Sequence, residues 1–323
     1  MNSDPSSRQE TAWLSARLCG AAEPWQQLGF AGQDLADVRT AIATLLADES
    51  ETGRLARERA VATAGRLAET LGGFERRPTV FGSMEEEAYE VPSIPGHGWG
   101  IVALVALAAA VPEVRRFHLD RGVPDEVSWE SLADLGQQVR VHRETYGRFG
   151  LHAQGWLVTI WSGALYSMGR LQFNLQWYEP KADDPDHPVA DPTPRWVVST
   201  HIPGTGPLTP EAVDASFANG RAFFAQHFAD FPTREFYCGS WLLDPRMARL
   251  DPASNTARFQ ARWQLDGPST DGNADVWFFL WRRRGDVDPA TLPTDSSLRR
   301  LVVSEVTAGR PWQIARGLIP YDT

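Results

Sequence analysis

The spacing of the apolar residues changes near residue 170, and this change limits the fold of the 323-residue chain more than any other feature. From Thr11 to Leu71, apolar side chains recur at intervals of three or four residues, which is typical of amphipathic helices. From Leu171 to Trp177, apolar and polar residues alternate strictly, which predicts a strand with one buried face. The pattern therefore predicts an α+β fold, in which an all-helical first part is followed by a mixed sheet that helices cover.

The first part of the chain has no segment with the pattern of a strand. The apolar run from Ile101 to Val111 is about half as long as the roughly 20 residues that cross a bilayer, so it predicts a buried core helix. Helices are also expected over Glu113–Asp120 and Glu126–Tyr146. We place the boundary between a helical N-terminal domain, residues 1–128, and a sheet domain, residues 129–323.

The second part of the chain alternates between predicted strands and helices. Strands are expected at Trp196–Ile202 and Glu235–Trp241, and the continuous apolar run Val276–Trp281 is typical of a central strand. Residues Leu298–Val306 fit either a helix or a strand. The segment Pro180–Pro194 is rich in proline and aspartate, so it predicts a surface excursion rather than an element.

The chain is acidic, with 31 Lys+Arg against 41 Asp+Glu and a formal net charge of −10. Nucleic acids and anionic membranes bind cationic surfaces, so neither is expected as a partner. Negative charge is instead compatible with attraction of a cationic small molecule. The cysteines Cys19 and Cys238 form no metal-binding pair, and the first ten residues lack the apolar core of a signal peptide, so a cytoplasmic protein is expected.

The sequence HIPGTGPLTPE, residues 201–211, predicts a strand that continues through a glycine-bearing loop into a capped helix. Thr209 suits the N-cap, Pro210 the first helical position and Glu211 the first turn. Backbone N–H groups at such a helix start can hold an anion such as phosphate. The alternative is a tight connection in which the glycines serve backbone geometry alone. Neither a GxxxxGK[ST] nor a GxGxxG pattern is present in the loop.

Three residues near the predicted strand ends are candidates for catalysis. His201 suits a general base at neutral pH, and a structural histidine is an equal alternative. Cys238 and Ser240 share one face of a strand, and either is a candidate nucleophile. In that case His201 would be the base and Asp244 would orient it. No Gly-x-Ser-x-Gly elbow surrounds Ser240, so a core cysteine and a strand-end serine are favoured, with Asp244 as a helix cap.

Tryptophan and histidine residues suggest two further kinds of site. Core packing accounts for most of the tryptophans in the second part of the chain. Trp196 and Trp241 lie on two of the predicted strands, so they are the candidates for stacking against a ligand. No metal site is expected, because HxH, HxxxH and HExxH spacings are absent from the seven histidines, which are His97, His118, His142, His152, His187, His201 and His227.

Four motifs together resemble a known family. The run HIPGTGPLTPEAVDASF is followed by YCGSWLLDP, then by SNTARFQ and finally by PWQIARG. These motifs are similar to those of a family of bacterial acyltransferase-domain proteins. That family joins a helical N-terminal domain to a C-terminal domain similar to the GCN5-related N-acetyltransferase (GNAT) fold, and the resemblance covers most of the chain.

The resemblance implies an acyl-CoA-dependent N-acyltransferase that moves an acyl group from a thioester to a small amine. Acyl-CoA, as acetyl-CoA or a longer thioester, would be the co-substrate, and its pyrophosphate would rest on the loop that follows strand Trp196–Ile202. The thioester would lie between that strand and Glu235–Trp241, because these two strands splay apart in the GNAT fold. The implied cofactor-binding residues are Ile202, Gly204, Thr205, Gly206, Leu208 and Thr209.

Two other functions stay open at this point. The usual GNAT loop signature, Arg or Gln followed by x-x-Gly-x-Gly or Ala, is absent from the loop. One alternative is therefore a protein of this fold that binds a small molecule or acts as a scaffold without CoA chemistry. The other is a hydrolase that uses Ser240 or Cys238. The helical domain is expected either to cap the cleft or to form a homodimer.

Overall fold

The computed structural model describes residues 5–74, 99–180 and 188–321. His97, His187 and residues 181–187 of the expected surface excursion lie outside the described residues. Contacts within the chain divide it into two compact units, Met1–Tyr166 and Ser167–Thr323. The boundary at 128/129 stays a prediction about independently folding domains.

Helices make up nearly all of the secondary structure that is described in the first unit. The α-helices described there are α1 (Pro5–Leu18), α2 (Gly32–Ala47), α3 (Glu51–Glu69), α4 (Ile101–Ala109), α5 (Val111–Asp120), α6 (Asp125–Leu132), α7 (Asp134–Tyr146) and α8 (Gln154–Trp161). Every residue of α4 is buried, so the predicted core helix is confirmed. Pro112 stands in the first turn of α5, the part of a helix where proline is tolerated.

The single helix predicted over Glu126–Tyr146 is wrong, because the chain turns at Ala133 between α6 and α7. The reason lies far away in the sequence. Gly136 donates its backbone N–H to the carbonyl of Leu28 at 2.8 Å. A Cβ on Gly29 would come within 2.3 Å of the Ala133 carbonyl oxygen, so backbone packs directly on backbone at this junction. Helical spacing in the sequence carries no trace of such a contact.

The second unit is built on a mixed sheet. Its strands are β1 (Leu165–Met168), β2 (Leu171–Tyr178), β3 (Arg195–His201), β4 (Glu235–Ser240), β5 (Gln264–Leu265), β6 (Thr270–Asp271) and β7 (Gln313–Pro320). Their order in the sheet is β1-β2-β3-β4-β7-β5, and β6 also pairs with β7. Strands β3 and β4 are parallel, whereas β2 is antiparallel to β3 and β7 is antiparallel to β4. The α-helices are α9 (Pro210–His227), α10 (Asn255–Gln260), α11 (Asn273–Trp281) and α12 (Ser297–Thr307).

Several of the sequence-based elements are confirmed within this unit. The alternating segment is β2, the two strands expected around the loop are β3 and β4, and the segment Leu298–Val306 lies in helix α12. Helix α9 begins after Thr209, whose Oγ1 accepts the backbone N–H of Ala212 at 3.3 Å. The predicted N-cap is therefore present.

The central strand predicted at Val276–Trp281 is wrong, because this run lies in helix α11. Only Val276 and Trp277 in it are buried, and Phe279 is 49% exposed, as on a helix with one packed face. A short apolar run does not distinguish a buried strand from a helix by its periodicity. The sheet instead contains β7, which lies between β4 and β5 and is not predicted from the sequence.

No described helix combines the length and the apolar character needed to cross a membrane. Within the same residues, no three His, Cys, Asp or Glu side chains are grouped as metal ligands.

Candidate active site

The sheet opens between β3 and β4. These parallel strands are in register at only two positions, Val198 opposite Phe236 and Ser199 opposite Tyr237. On its other side β3 stays paired with β2 as far as His201, and β4 stays paired with β7 as far as Ser240. Beyond Ser199 and Tyr237 the two strands share no further ladder positions, and we call this place, at the carboxyl ends of two parallel strands, the β3–β4 gap. Ligands of open sheets with parallel strands commonly bind at such a place.

The two faces of the sheet differ in chemistry on either side of this gap. One face is apolar, and its rings pack on α9, with centroid distances of 5.7 Å for Phe173–Phe217 and 4.7 Å for Phe217–Phe236. The other face carries polar side chains that are nonetheless buried, including Asn174 and Ser199 at 1% and 3% exposure. Buried polar groups in a sheet need partners or a function. This second face carries the first candidate for catalysis.

His201 stands at the end of β3 on the polar face and is half-buried. Its Nε2 lies 2.5 Å from Oδ1 of Asn174. The Asn174 amide is itself fixed, since its Nδ2 donates to the Leu175 carbonyl at 2.7 Å and a carbonyl can only accept. Oδ1 of Asn174 therefore faces the imidazole, and Nε2 of His201 must donate. In the neutral ring this arrangement leaves the lone pair on Nδ1, the nitrogen that can accept a proton.

The loop after β3 is exposed from Gly204 to Pro207 and is held at both ends by Arg170. The guanidinium of Arg170 donates to the carbonyl of Pro203 at 2.9 Å and to the carbonyl of Pro207 at 3.2 Å. Arg170 is in turn anchored, because its backbone N–H donates to Oγ of Ser216 on α9 at 2.9 Å. With the carbonyls at its ends used in this way, the loop presents its tip to solvent in a fixed shape.

Apolar packing fixes the same loop from beneath. Ile202 and Leu208, at its two ends, pack against a buried cluster that includes Trp241 after β4 and Trp277 of α11. The ring of Trp241 also stacks on Phe279, with centroids 6.2 Å apart and an interplanar angle of 17°. The predicted cofactor-binding segment from Ile202 to Thr209 is thereby brought to the open end of the β3–β4 gap. Its binding role stays a prediction.

Cys238 and Ser240 lie on β4 beside the gap, but their surroundings favour structural roles. The Cys238 side chain is fully buried, and burial raises the pKa of its thiol, so the thiolate needed for attack is disfavoured. Ser240 Oγ accepts the backbone N–H of Leu242 at 3.1 Å and caps a short 3-10 helix. Asp244 is also fully buried, and it accepts the backbone N–H groups of Arg246 and Gln313 at 2.8 and 2.9 Å.

The two candidate tryptophans are not brought together. Trp196 lies near the start of β3, away from the gap, and packs on Trp177 and Phe231 with centroid distances of 5.4 and 4.9 Å. Trp241 directly follows the carboxyl end of β4 and belongs to the cluster beneath the loop. Of the pair, Trp241 is therefore the one whose position is compatible with a ligand in the gap.

Sequence reasoning missed several residues that the structure brings to this site. Asn174 belongs to β2, and Arg170 precedes that strand, so neither lies in the loop after β3. Tyr237 reaches along β4: a Cβ on Gly239 would lie 3.0 Å from its hydroxyl oxygen. Burial raises the pKa of the Tyr237 phenol, so it stays protonated at neutral pH. The available signal is the polar residues of the alternating segment, which predict only that the strand has a polar face.

Comparisons with known proteins agree with this architecture. Residues 21–163 match the N-acyltransferase N-terminal domain, and residues 165–319 match the GNAT-like C-terminal domain. No curated protein matches the chain.

Solved structures of acyltransferases cover almost the whole chain. One, in complex with decanoyl-CoA and teicoplanin, is 28% identical with a TM-score of 0.73 over 98% of this chain and 96% of that one. A second, in complex with CoA and 10C-teicoplanin, is 28% identical with a TM-score of 0.69 over 97% of this chain and 99% of that one. A third, in complex with decanoyl-CoA, is 27% identical with a TM-score of 0.71 over 98% of both chains. The chain thus has the two-domain layout of a GNAT-like acyltransferase, in which an N-acyltransferase N-terminal domain is followed by a GNAT-like C-terminal domain.

Proposed function

We propose that the protein transfers an acyl group from acyl-CoA to an amine-bearing small molecule. The observation that carries the proposal is the opening of the sheet after Ser199 and Tyr237, directly beside His201 and the exposed loop. The solved relatives support it, since one holds decanoyl-CoA with teicoplanin and another holds CoA with 10C-teicoplanin. These two pairs correspond to the reactants and the products of a transfer.

The residues present fit a CoA thioester. The gap between β3 and β4 leaves main-chain groups of both strand ends outside a shared ladder. The loop from Gly204 to Thr209 precedes an 18-residue helix, whose first N–H groups and dipole favour a phosphate. Pro207 lacks an N–H, so the donors would come from Gly204, Thr205, Gly206, Leu208 and Thr209. When bound, acyl-CoA would supply a thioester carbonyl that an amine can attack, with CoA thiol as the leaving group.

His201 is assigned the role of general base. Its Nε2 is committed as a donor to Asn174, so Nδ1 would take the proton that the amine loses as the new C–N bond forms. Asn174 would position His201 by holding this tautomer. The Tyr237 phenol is protonated and lies beside the gap, so it is a candidate donor for the departing sulfur. Transfer would be direct, because the thiol of Cys238 is buried and Ser240 Oγ serves as a cap.

A transfer assay tests the proposal. The full chain is incubated with acetyl-, octanoyl-, decanoyl- or palmitoyl-CoA and a panel of amine-bearing small molecules, and thiol release and acylated product are measured. We expect product with at least one pair, and a loss of about 100-fold or more in kcat for His201→Ala, as is usual for removal of a general base. Ser240→Ala and Cys238→Ala are the matched controls and should keep their activity. An acylated enzyme detected by intact mass, lost in either control variant, would contradict direct transfer.

A further inference from the structure

Three consecutive arginines follow helix α11 and lie outside every motif used above. The loop that would carry a nucleotide phosphate has no lysine or arginine between Pro203 and Thr209. Backbone N–H groups alone would therefore face the phosphate charge from the loop itself. The segment Arg282–Arg284 is a concentrated source of positive charge in a chain whose net charge is −10.

Arg282 is brought to the loop. A Cβ placed on Gly204 would lie 3.6 Å from Nη2 of Arg282, so the guanidinium and the loop backbone are neighbours. Gly204 is exposed and Arg282 is half-buried, so the guanidinium stands at the edge of the exposed loop. Because Ile202, Leu208 and α11 share one apolar cluster, the neighbourhood is fixed by packing beneath it.

The backbone of Arg282 has a conformation that is usually adopted by glycine at a helix end. Its φ of 56° and ψ of 37° are left-handed, and among the described residues it is the one non-glycine with positive φ. Glycine or asparagine is usual at this position, because a Cβ makes the conformation costly. Such an outlier points towards a function for the side chain it carries.

The ring of Phe278 holds two of the three cations. The guanidinium carbons of Arg282 and Arg284 lie 5.5 and 4.2 Å from its centroid. Asp275, on the same helix, interacts electrostatically with Arg284, and burial raises the pKa of its carboxyl. Stacked guanidinium groups are preorganised for phosphate, to which arginine can donate two parallel hydrogen bonds.

We propose that Arg282, supported by Arg284 across the Phe278 ring, binds a phosphate of the CoA nucleotide above the loop from Gly204 to Thr209. This inference rests on the proposed function, and it assigns to a separate helix end the cation that the loop lacks. The phosphate is either the pyrophosphate or the 3′-phosphate, and the two can be distinguished with ligands that lack one or both.

Calorimetric titration of the full chain tests the assignment with CoA, 3′-dephospho-CoA and S-decanoyl-pantetheine. Arg282→Gly should weaken CoA binding at least tenfold and leave decanoyl-pantetheine binding unchanged, while Arg282→Lys should be intermediate. The melting temperature of Arg282→Gly should not fall, since glycine suits the left-handed backbone at this position. Arg234→Ala is the charge-matched control, because Arg234 is exposed just before β4, at the end of that strand away from the gap.

The results distinguish the pyrophosphate from the 3′-phosphate, and they test the role of Arg282 separately from the proposed function. If Arg282→Gly weakens the binding of 3′-dephospho-CoA as much as that of CoA, Arg282 binds the pyrophosphate. If the variant weakens the binding of CoA but not that of 3′-dephospho-CoA, Arg282 binds the 3′-phosphate. CoA affinity of Arg282→Gly within twofold of the unmodified protein would overturn the inference while the proposed function stands. Absence of CoA binding by the unmodified protein would overturn both.

Discussion

At the residue scale, one hydrogen bond decides which nitrogen of His201 can act. The donation from Asn174 Nδ2 to the Leu175 carbonyl orients the amide, and the amide orients the imidazole. Such a chain of partners fixes tautomer and ring position before any substrate arrives. Cys238 and Ser240 have no comparable arrangement towards a base, so no chemical step is assigned to them.

Replacement of Asn174 tests the positioning role. Asn174→Leu removes the acceptor, so kcat should fall about tenfold or more while the KM for acyl-CoA changes little. Asn174→Asp keeps an acceptor opposite Nε2 and should restore part of kcat. Its negative charge favours the protonated imidazole, so the rise of activity with pH should move to higher pH. The measurement is a pH profile of kcat, and identical profiles for all three proteins would contradict the role.

Two buried histidines of the helical unit predict a pH-dependent stability. Burial, together with Arg115, lowers the pKa of His118 to about 3, and its Nδ1 lies 2.7 Å from Ser128 Oγ. Burial, with nearby arginines, lowers the pKa of His142 to about 4. In the unfolded chain both imidazoles titrate near pH 6.5. Between these values the unfolded state binds more protons, so stability must fall as the pH falls.

Between pH 6 and 5, each histidine should lower the free energy of unfolding by at most about 1.4 kcal/mol per pH unit as the pH falls. Glu305 does not mask this slope, because hydrogen bonding from Arg310 lowers the pKa of its carboxyl to about 2, and that stabilisation is lost only below about pH 4.5. Urea unfolding at several pH values measures the effect, and His118→Gln should flatten it. An unfolding free energy that stays constant from pH 6.5 to 5 would show this account of the two histidines to be wrong.

At the scale of elements, the site is a consequence of where pairing stops. β3 and β4 share two register positions, yet each continues with its outer partner, so the gap is part of the sheet and not a frayed end. Arg170 and the helix cap then fix the loop that begins at the gap. Because strand, loop and helix are consecutive in sequence, local signals were sufficient to predict this part.

The cap of α9 can be tested separately from ligand binding. Thr209→Ala leaves the N–H of Ala212 without its side-chain acceptor, and should cost about 1 kcal/mol of unfolding free energy in urea. Thr209→Ser keeps the hydroxyl and should behave like the unmodified protein in both stability and CoA affinity. A Thr209→Ala variant as stable as Thr209→Ser would mean that the cap contributes nothing.

At the scale of the whole molecule, the sequence predicts what is local and misses what is assembled from distant segments. The α+β class, the core helix α4 and the strands β3 and β4 follow from periodicity and from residues at element ends. The apolar run of helix α11 predicts a strand, because a short apolar run fits both structures, and the turn at Ala133 depends on backbone packing against Gly29. The packing of α11 brings Arg282 to Gly204, so no local sequence pattern predicts that these two residues are neighbours.

The proposed function requires that the opening between β3 and β4 and the loop after His201 bind an acyl-CoA. Calorimetric titration of the full chain with decanoyl-CoA, repeated with acetyl-, octanoyl- and palmitoyl-CoA, tests it most directly. We expect saturable binding of one acyl-CoA per chain and a rise in melting temperature with at least one of these thioesters. Neither heat nor a thermal shift with any member of the series would contradict it.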